Sequence, residues 1–228
     1  MRALVVAIVL GLVSPRLLPG LAAQDVAARL TGRVPPEVVT TVNGIAQDAA
    51  GRGLPVEPLI QKTLEGSAKG VPADRVIAAV RTLASRLDES RTALRDAGIP
   101  APSPAAVEGG ADALNAGLNA SHVRDLARIS RGPYDPAVTL RVATTLTALG
   151  VPAQRGLRLM ERRIQAGRGP NDLLDLPNEV QVDMAHGASA AQAAEALETG
   201  AGDRDQPERP EAHPGQEGEH GQHGDHRD

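Results

Sequence analysis

The sequence predicts an all-α protein of short helices in hairpin-like repeats, either a bundle or a short α-solenoid, followed by a disordered C-terminal tail. Three observations predict it. A Gly-apolar-Pro step recurs, at Gly53-Leu54-Pro55, Gly70-Val71-Pro72, Gly98-Ile99-Pro100 and Gly150-Val151-Pro152. Between these steps the apolar residues recur at helical spacing, and the single short alternating stretch, 179–183, would be a lone strand with nothing to pair with. Beyond residue 200 the large apolar residues stop altogether.

The step is a stop followed by a start. Glycine past the end of a helix takes the left-handed conformation that closes the last turn, and the proline after it cannot continue that helix but suits the start of the next. Looser versions stand at Gly32-Arg33-Val34-Pro35, Gly132-Pro133, Gly169-Pro170 and Gly187-Ala188-Ser189. Gly53 to Gly70 is 17 positions, Gly132 to Gly150 is 18 and Gly150 to Gly167 is 17. Two steps therefore make a helical hairpin of about 35 residues, the size class of helical repeats. That length is similar to the tetratricopeptide repeat, but the aromatic positions of that motif are missing, so its peptide-binding groove is not carried over.

Residues 1–23 read as a signal peptide. Met1 and Arg2 give a short positive region, Ala3 to Val13 is an unbroken apolar and glycine run, and Leu21-Ala22-Ala23 offers a cleavage site. Eleven residues are too few to span a bilayer, which needs about 20, so no stable span is expected after cleavage. An uncleaved anchor extended through Leu17 to Ala22 is the rival reading. The expected location is periplasmic or secreted. No cysteine occurs, so the exported chain has neither a lipoprotein attachment site nor a disulfide, and packing alone must hold it.

Residues 24–200 form the predicted helical body. Phe and Trp are absent and Tyr134 is the only aromatic, which leaves a core of Leu, Val, Ile and Ala. Each large aliphatic contributes roughly 1.5 to 3 kcal/mol on full burial. A short helix at Asp25 to Leu30 is followed by one from Pro35 towards Ala50, weakened by Gly44. Leu59, Ile60, Thr63 and Leu64 make the stripe of the next. Val76, Ile77, Val80, Leu83, Ala84, Leu87 and Leu94 make the longest stripe in the chain.

The segment after Gly98 has two readings. Pro100, Pro102 and Pro104 favour extended backbone and Gly109-Gly110 interrupts the apolar positions beyond them, which suggests a hinge near residues 98–110 between two helical halves. The other reading is an Ala-rich helix from Ser103 to Asn115. Helices then run from Asn119 or Ser121 to Arg131, from Asp135-Pro136 with Val138, Val142, Leu146 and Leu149 inward, and from Pro152 to Ala166 on Leu157, Met160 and Ile164. Asn171 to Met184 is expected to be cut at Pro177, and Ser189 with Gln192 forms a capping box for the last helix.

Residues 201–228 hold eight acidic residues against three arginines and no Leu, Ile, Val, Met or aromatic. A segment with so little to bury is expected to be disordered. It carries His213, His220, His223 and His226, and imidazoles spaced among carboxylates suit Zn, Ni or Cu(II). The body holds 19 basic and 20 acidic residues, a balance that argues against a nucleic-acid surface.

In the body, two pairs, His122 with Asp125 and Asp183 with His186, sit three apart on predicted helices, the spacing of a metal or acid–base pair and equally of a surface hydrogen bond. Arg155, Arg158, Arg162 and Arg163 crowd one helix, with Arg168 beyond it. They read as an anion site or as a solvated face enriched by the arginine bias, since 22 of the 24 basic residues are arginine. Tyr134 is either a partner anchor or a ring packed over its turn. Cysteine, a Gly-x-Ser-x-Gly elbow and Ser-x-x-Lys are all missing, so no catalysis is expected. These features favour an exported interaction or structural module for an envelope protein or polymer, with metal handling by the tail as the alternative.

Overall fold

The computed structural model describes residues 26–200, and these fold as helices with no strand among them. A helical segment at 26–30 (α1) leads into α2 (Pro36–Gly51), α3 (Glu57–Ala68), α4 (Ala73–Asp96), α5 (Pro104–Asn115) and α6 (Ala120–Ile129). α7 (Pro136–Ala148), α8 (Ala153–Gln165), α9 (Pro170–Ala185) and α10 (Ala190–Thr199) complete it. Residues 1–23, where a signal peptide is expected, the acidic tail and all four of its histidines lie outside the described residues.

The glycine steps do the work their chemistry suggests. At Gly53, Gly70, Gly98, Gly150 and Gly187 φ lies between 66° and 101°, and the next amide reaches back five residues. Leu54 donates to the Ala49 carbonyl at 2.9 Å and Val151 to that of Leu146 at 3.0 Å. The apolar residue of the step therefore lands over the helix it has just left, and Leu54 and Val151 are buried. The proline sits one position earlier than the first helical turn, for Pro72 and Pro152 are the N-caps of α4 and α8. Gly117-Leu118-Asn119 is the same step with Asn119 as the capping residue. Its amide and carbonyl pattern is identical, Leu118 to Ala113 at 3.0 Å.

α6 ends differently. Ser130 caps it, its hydroxyl donating to the Leu126 carbonyl at 2.6 Å; Gly132–Pro133 is cis. This turn is held from two sides. Arg131 donates to the Ala97 carbonyl at 3.3 Å, and the Tyr134 hydroxyl donates to the Arg168 carbonyl. Each bond spans 34 residues, one hairpin length, and joins the turn of one repeat to that of a neighbouring one.

Among the described residues, extensive helix contacts join only helices one or two positions apart in the chain. α2, α4, α6, α8 and α10 form one row and α5, α7 and α9 another, with successive helices packing across. This is repeat-like packing, in which each hairpin buries its apolar face against the next rather than around a common centre.

The helix of the second reading forms where the prolines and glycines made the sequence look poorest. α5 begins at Pro104 under a Ser103 cap and buries Ala106, Val107, Ala111 and Leu114. Its glycines are required by close approach. A Cβ on Gly110 would stand 2.1 Å from the Ser90 hydroxyl of α4, and one on Gly109 3.3 Å from the Ala137 carbonyl of α7. Ser90, fully buried, donates to the Val107 carbonyl at 2.8 Å.

Three expectations need correction. In α7 Leu140, not Val138, is buried with Val142 and Leu146. α9 is not cut at Pro177: the helix runs through it, with Leu173, Leu176 and Val180 buried on one side. Burial of three large aliphatics outweighs one missing amide donor. In α8 the central core residues are Leu159 and Met160, with Leu157 and Ile164 only half-buried beside them.

Candidate functional site

His122 and Asp125 share a helix but no bond. The His122 ring is buried, its Nδ1 accepting the Asn119 amide at 3.3 Å and its Nε2 lying 2.8 Å from the Gln154 carboxamide of α8. Asp125 turns instead to Arg124 and Arg128, at 3.5 and 3.4 Å. Both ring nitrogens are thus committed to capping α6 and tying it to α8.

Asp183 and His186 sit at the C-terminal end of α9 without a side-chain bond between them. The His186 amide closes the helix on the Val182 and Asp183 carbonyls. Among the described residues no group of three or more His, Asp or Glu is arranged to hold a metal ion.

The arginines of α8 make ion pairs and hydrogen bonds to the two helices that follow. Arg155 pairs with Glu195 at 2.9 Å and Arg158 with Glu198 at 3.2 Å, while Arg162 donates to the Glu198 carbonyl at 2.9 Å. Arg163, mostly buried, meets Glu179 of α9 at 2.5 Å. They fasten α8 to the two helices after it. Pairs as exposed as the first two each add at most about 1 kcal/mol, so their joint role is orientation.

A carboxylate cluster on α3 and α5 was not singled out from the sequence. Arg29 forks both oxygens of Glu57, at 2.5 and 2.7 Å, and with Gln61 holds that carboxyl down at about 2. On α5, burial pushes Glu108 upward, helped by Asp112 and Glu57, and burial raises Asp112 against the opposing pull of Arg141. The i, i+4 spacing was visible, but its burial under neighbouring helices was not. Asp112 borders an open cleft of about 590 Å³ between α3, α4 and α5 with Lys62, Thr82 and Asn115. Glu65 lies on the same lining.

A cleft of about 720 Å³ lies at the C-terminal end of the described helices among α8, α9 and α10. Arg162 and Arg163 stand on its α8 side, Glu179, Val182 and Asp183 on its α9 side, and Leu197 on α10. Beside it the outer face of α9 is open. Leu174 is 51% and Val182 46% exposed, and among the described residues only Val71, at 37%, joins them as an exposed large hydrophobic. Comparison with protein-family models, with curated proteins and with solved structures finds no match.

Proposed function

We propose that this chain is an exported helical interaction module that presents the open end of its stack to an envelope protein or polymer. The observation that carries the reading is the outer face of α9. Within the stack each row continues by a helix two positions on, and α9, the last described helix of its row, exposes Leu174 and Val182. A terminal repeat normally needs a polar outer face for solubility, so apolar exposure at this position favours a partner. The leader supports export, and no described helix is long and apolar enough to cross a membrane. The test is capture from envelope extract by the chain from residue 24 onward, with a stoichiometric partner expected. Recovery of nothing in stoichiometric amount would overturn the reading.

A second reading is divalent-metal binding by the tail, favoured by His213, His220, His223 and His226 among eight carboxylates. Titration calorimetry with Zn, Ni and Cu(II), against a chain stopped at Gly200, separates the two. Submicromolar binding that disappears with the tail and weakens below about pH 6.5, where imidazole protonates, is the result this reading expects.

A further inference from the structure

We infer that the outer face of α9 docks a basic amphipathic helix of a partner protein, which takes the place of the next helix in the α5, α7, α9 row. The inference rests on the interaction-module reading and names its site and the chemistry of the partner.

The side chains of α9 are sorted around its axis. At 3.6 residues per turn, Leu174, Ala185, Asn178 and Val182 fall within about 80° of arc. Asp175, Glu179, Asp172 and Asp183 fall within the adjoining ~80°, and Leu173, Leu176 and Val180 make the buried side. All of the charged groups on α9 are thus carboxylates gathered along one edge of an uncharged, partly apolar strip. Only Glu179 has an ion-pair partner among the described residues, Arg163. Asp172, Asp175 and Asp183 make no ion pair among the described residues; Asp172 and Asp183 line the cleft that Arg162 and Arg163 also line, and Asp175 stands exposed beside the apolar strip.

Each candidate occupant meets that pattern differently. The chain's own residues 201–228 contain no Leu, Ile, Val, Met or aromatic and carry eight acids against three arginines. They can neither cover Leu174 and Val182 nor complement the acidic edge. A second copy laid antiparallel against α9 would bring the two acidic edges to the same side, a like-charge contact that costs binding, and a parallel copy would bring no cation to either edge. A helix with an apolar stripe flanked by lysine or arginine satisfies both features: its stripe covers Leu174 and Val182, and its cations meet the unpaired carboxylates. Helix-on-helix packing already joins α7 to α9.

The test uses the chain of residues 24–228 and two synthetic peptides of three heptads, with leucine at a and d and either lysine or glutamate at e and g. The lysine peptide is expected to bind saturably and at least about tenfold tighter than the glutamate peptide, with the preference shrinking as salt is raised. Leu174→Asp with Val182→Asp should abolish binding, and Asp175→Lys with Asp183→Lys should reverse the peptide preference. All four positions leave the buried side of α9 intact, and a thermal melt of each variant checks its fold. Equal binding of the two peptides, or undiminished binding by a folded L174D/V182D variant, overturns the inference. So does a dimer in sedimentation that L174D/V182D dissociates, since the occupant is then a second copy. An envelope partner still captured by L174D/V182D leaves the interaction module standing and removes α9 as its site. Selective binding of the lysine peptide with no envelope partner does the reverse.

Discussion

α5 and α9 are the two helices whose sequences argue most against helix, Gly109-Gly110 interrupting one and Pro177 the other. In the molecule their circumstances are opposite. α5 is wedged between α4 and α7, and its glycines are the points where neighbouring backbones and side chains come too close for a Cβ. α9 is held from one side only, by Leu173, Leu176 and Val180, and turns Leu174 and Val182 to solvent. A helix-weakening residue therefore has two explanations that local sequence does not separate: close packing that demands it, or one-sided packing that tolerates it.

The largest effect should separate the two sides of α9. Leu176→Ala removes a fully buried side chain and is expected to cost about 2 to 5 kcal/mol, whereas Leu174→Ala two positions earlier should change stability by less than about 0.5 kcal/mol. Urea unfolding of both variants reads the contrast directly. Next is Gly110→Ala, which should destabilise by about 1 to 3 kcal/mol through overpacking. Pairing it with Ser90→Gly, which removes the clashing hydroxyl along with its bond to Val107, should recover part of that loss in a double-mutant cycle.

The carboxyls of α5 sharpen the comparison by pH. Glu108 and Asp112 are raised by burial, so the folded chain binds protons more readily than the unfolded one at these sites. Their effect on stability is unfavourable when both are ionised and diminishes as pH falls through their raised folded values. Glu108→Gln with Asp112→Asn should accordingly melt higher than wild type at pH 7, and the gap should close towards about pH 4, the ordinary carboxylate range. Glu57 has the opposite sign. Its depressed carboxyl stabilises the fold above the ordinary value, and that contribution fades as pH falls towards about 2.

The smallest expected effect is at Gly44, mid-helix in α2. Nothing lies within 4 Å of the position its Cβ would occupy, so Gly44→Ala should stabilise by about 0.5 to 1 kcal/mol. A rise in melting temperature there, beside a fall for Gly110→Ala, would show the same substitution changing sign with packing.

Much of the fold was legible because glycine chemistry is local. The steps at Gly53, Gly70, Gly98 and Gly150 announce helix ends regardless of what packs around them, and the α4 stripe from Val76 to Leu94 needed only helical periodicity. Gly117 escaped notice because its step ends in Asn119 instead of proline. Leu159 was missed because half of α8 is apolar or aliphatic in stem, leaving its buried face ambiguous until α6 and α10 are in place. The site was less legible for the same reason: the acidic edge and apolar strip of α9 stand in the sequence, but only a helix continuous through Pro177 brings them together. Tyr134 shows the limit from the other side. Its turn was visible, but the Arg168 carbonyl that its hydroxyl meets lies 34 residues away.

Amide hydrogen exchange on the chain of residues 24–228, with and without the lysine peptide, tests the central claim most directly. Packed on both sides, α5 should exchange among the slowest helices, and α9 and α10, at the open end, among the fastest. The peptide should slow exchange in α9 with little change in α5. Equal protection of α5 and α9 in the free chain, with no response to the peptide, would contradict both the open end of the stack and the partner assigned to it.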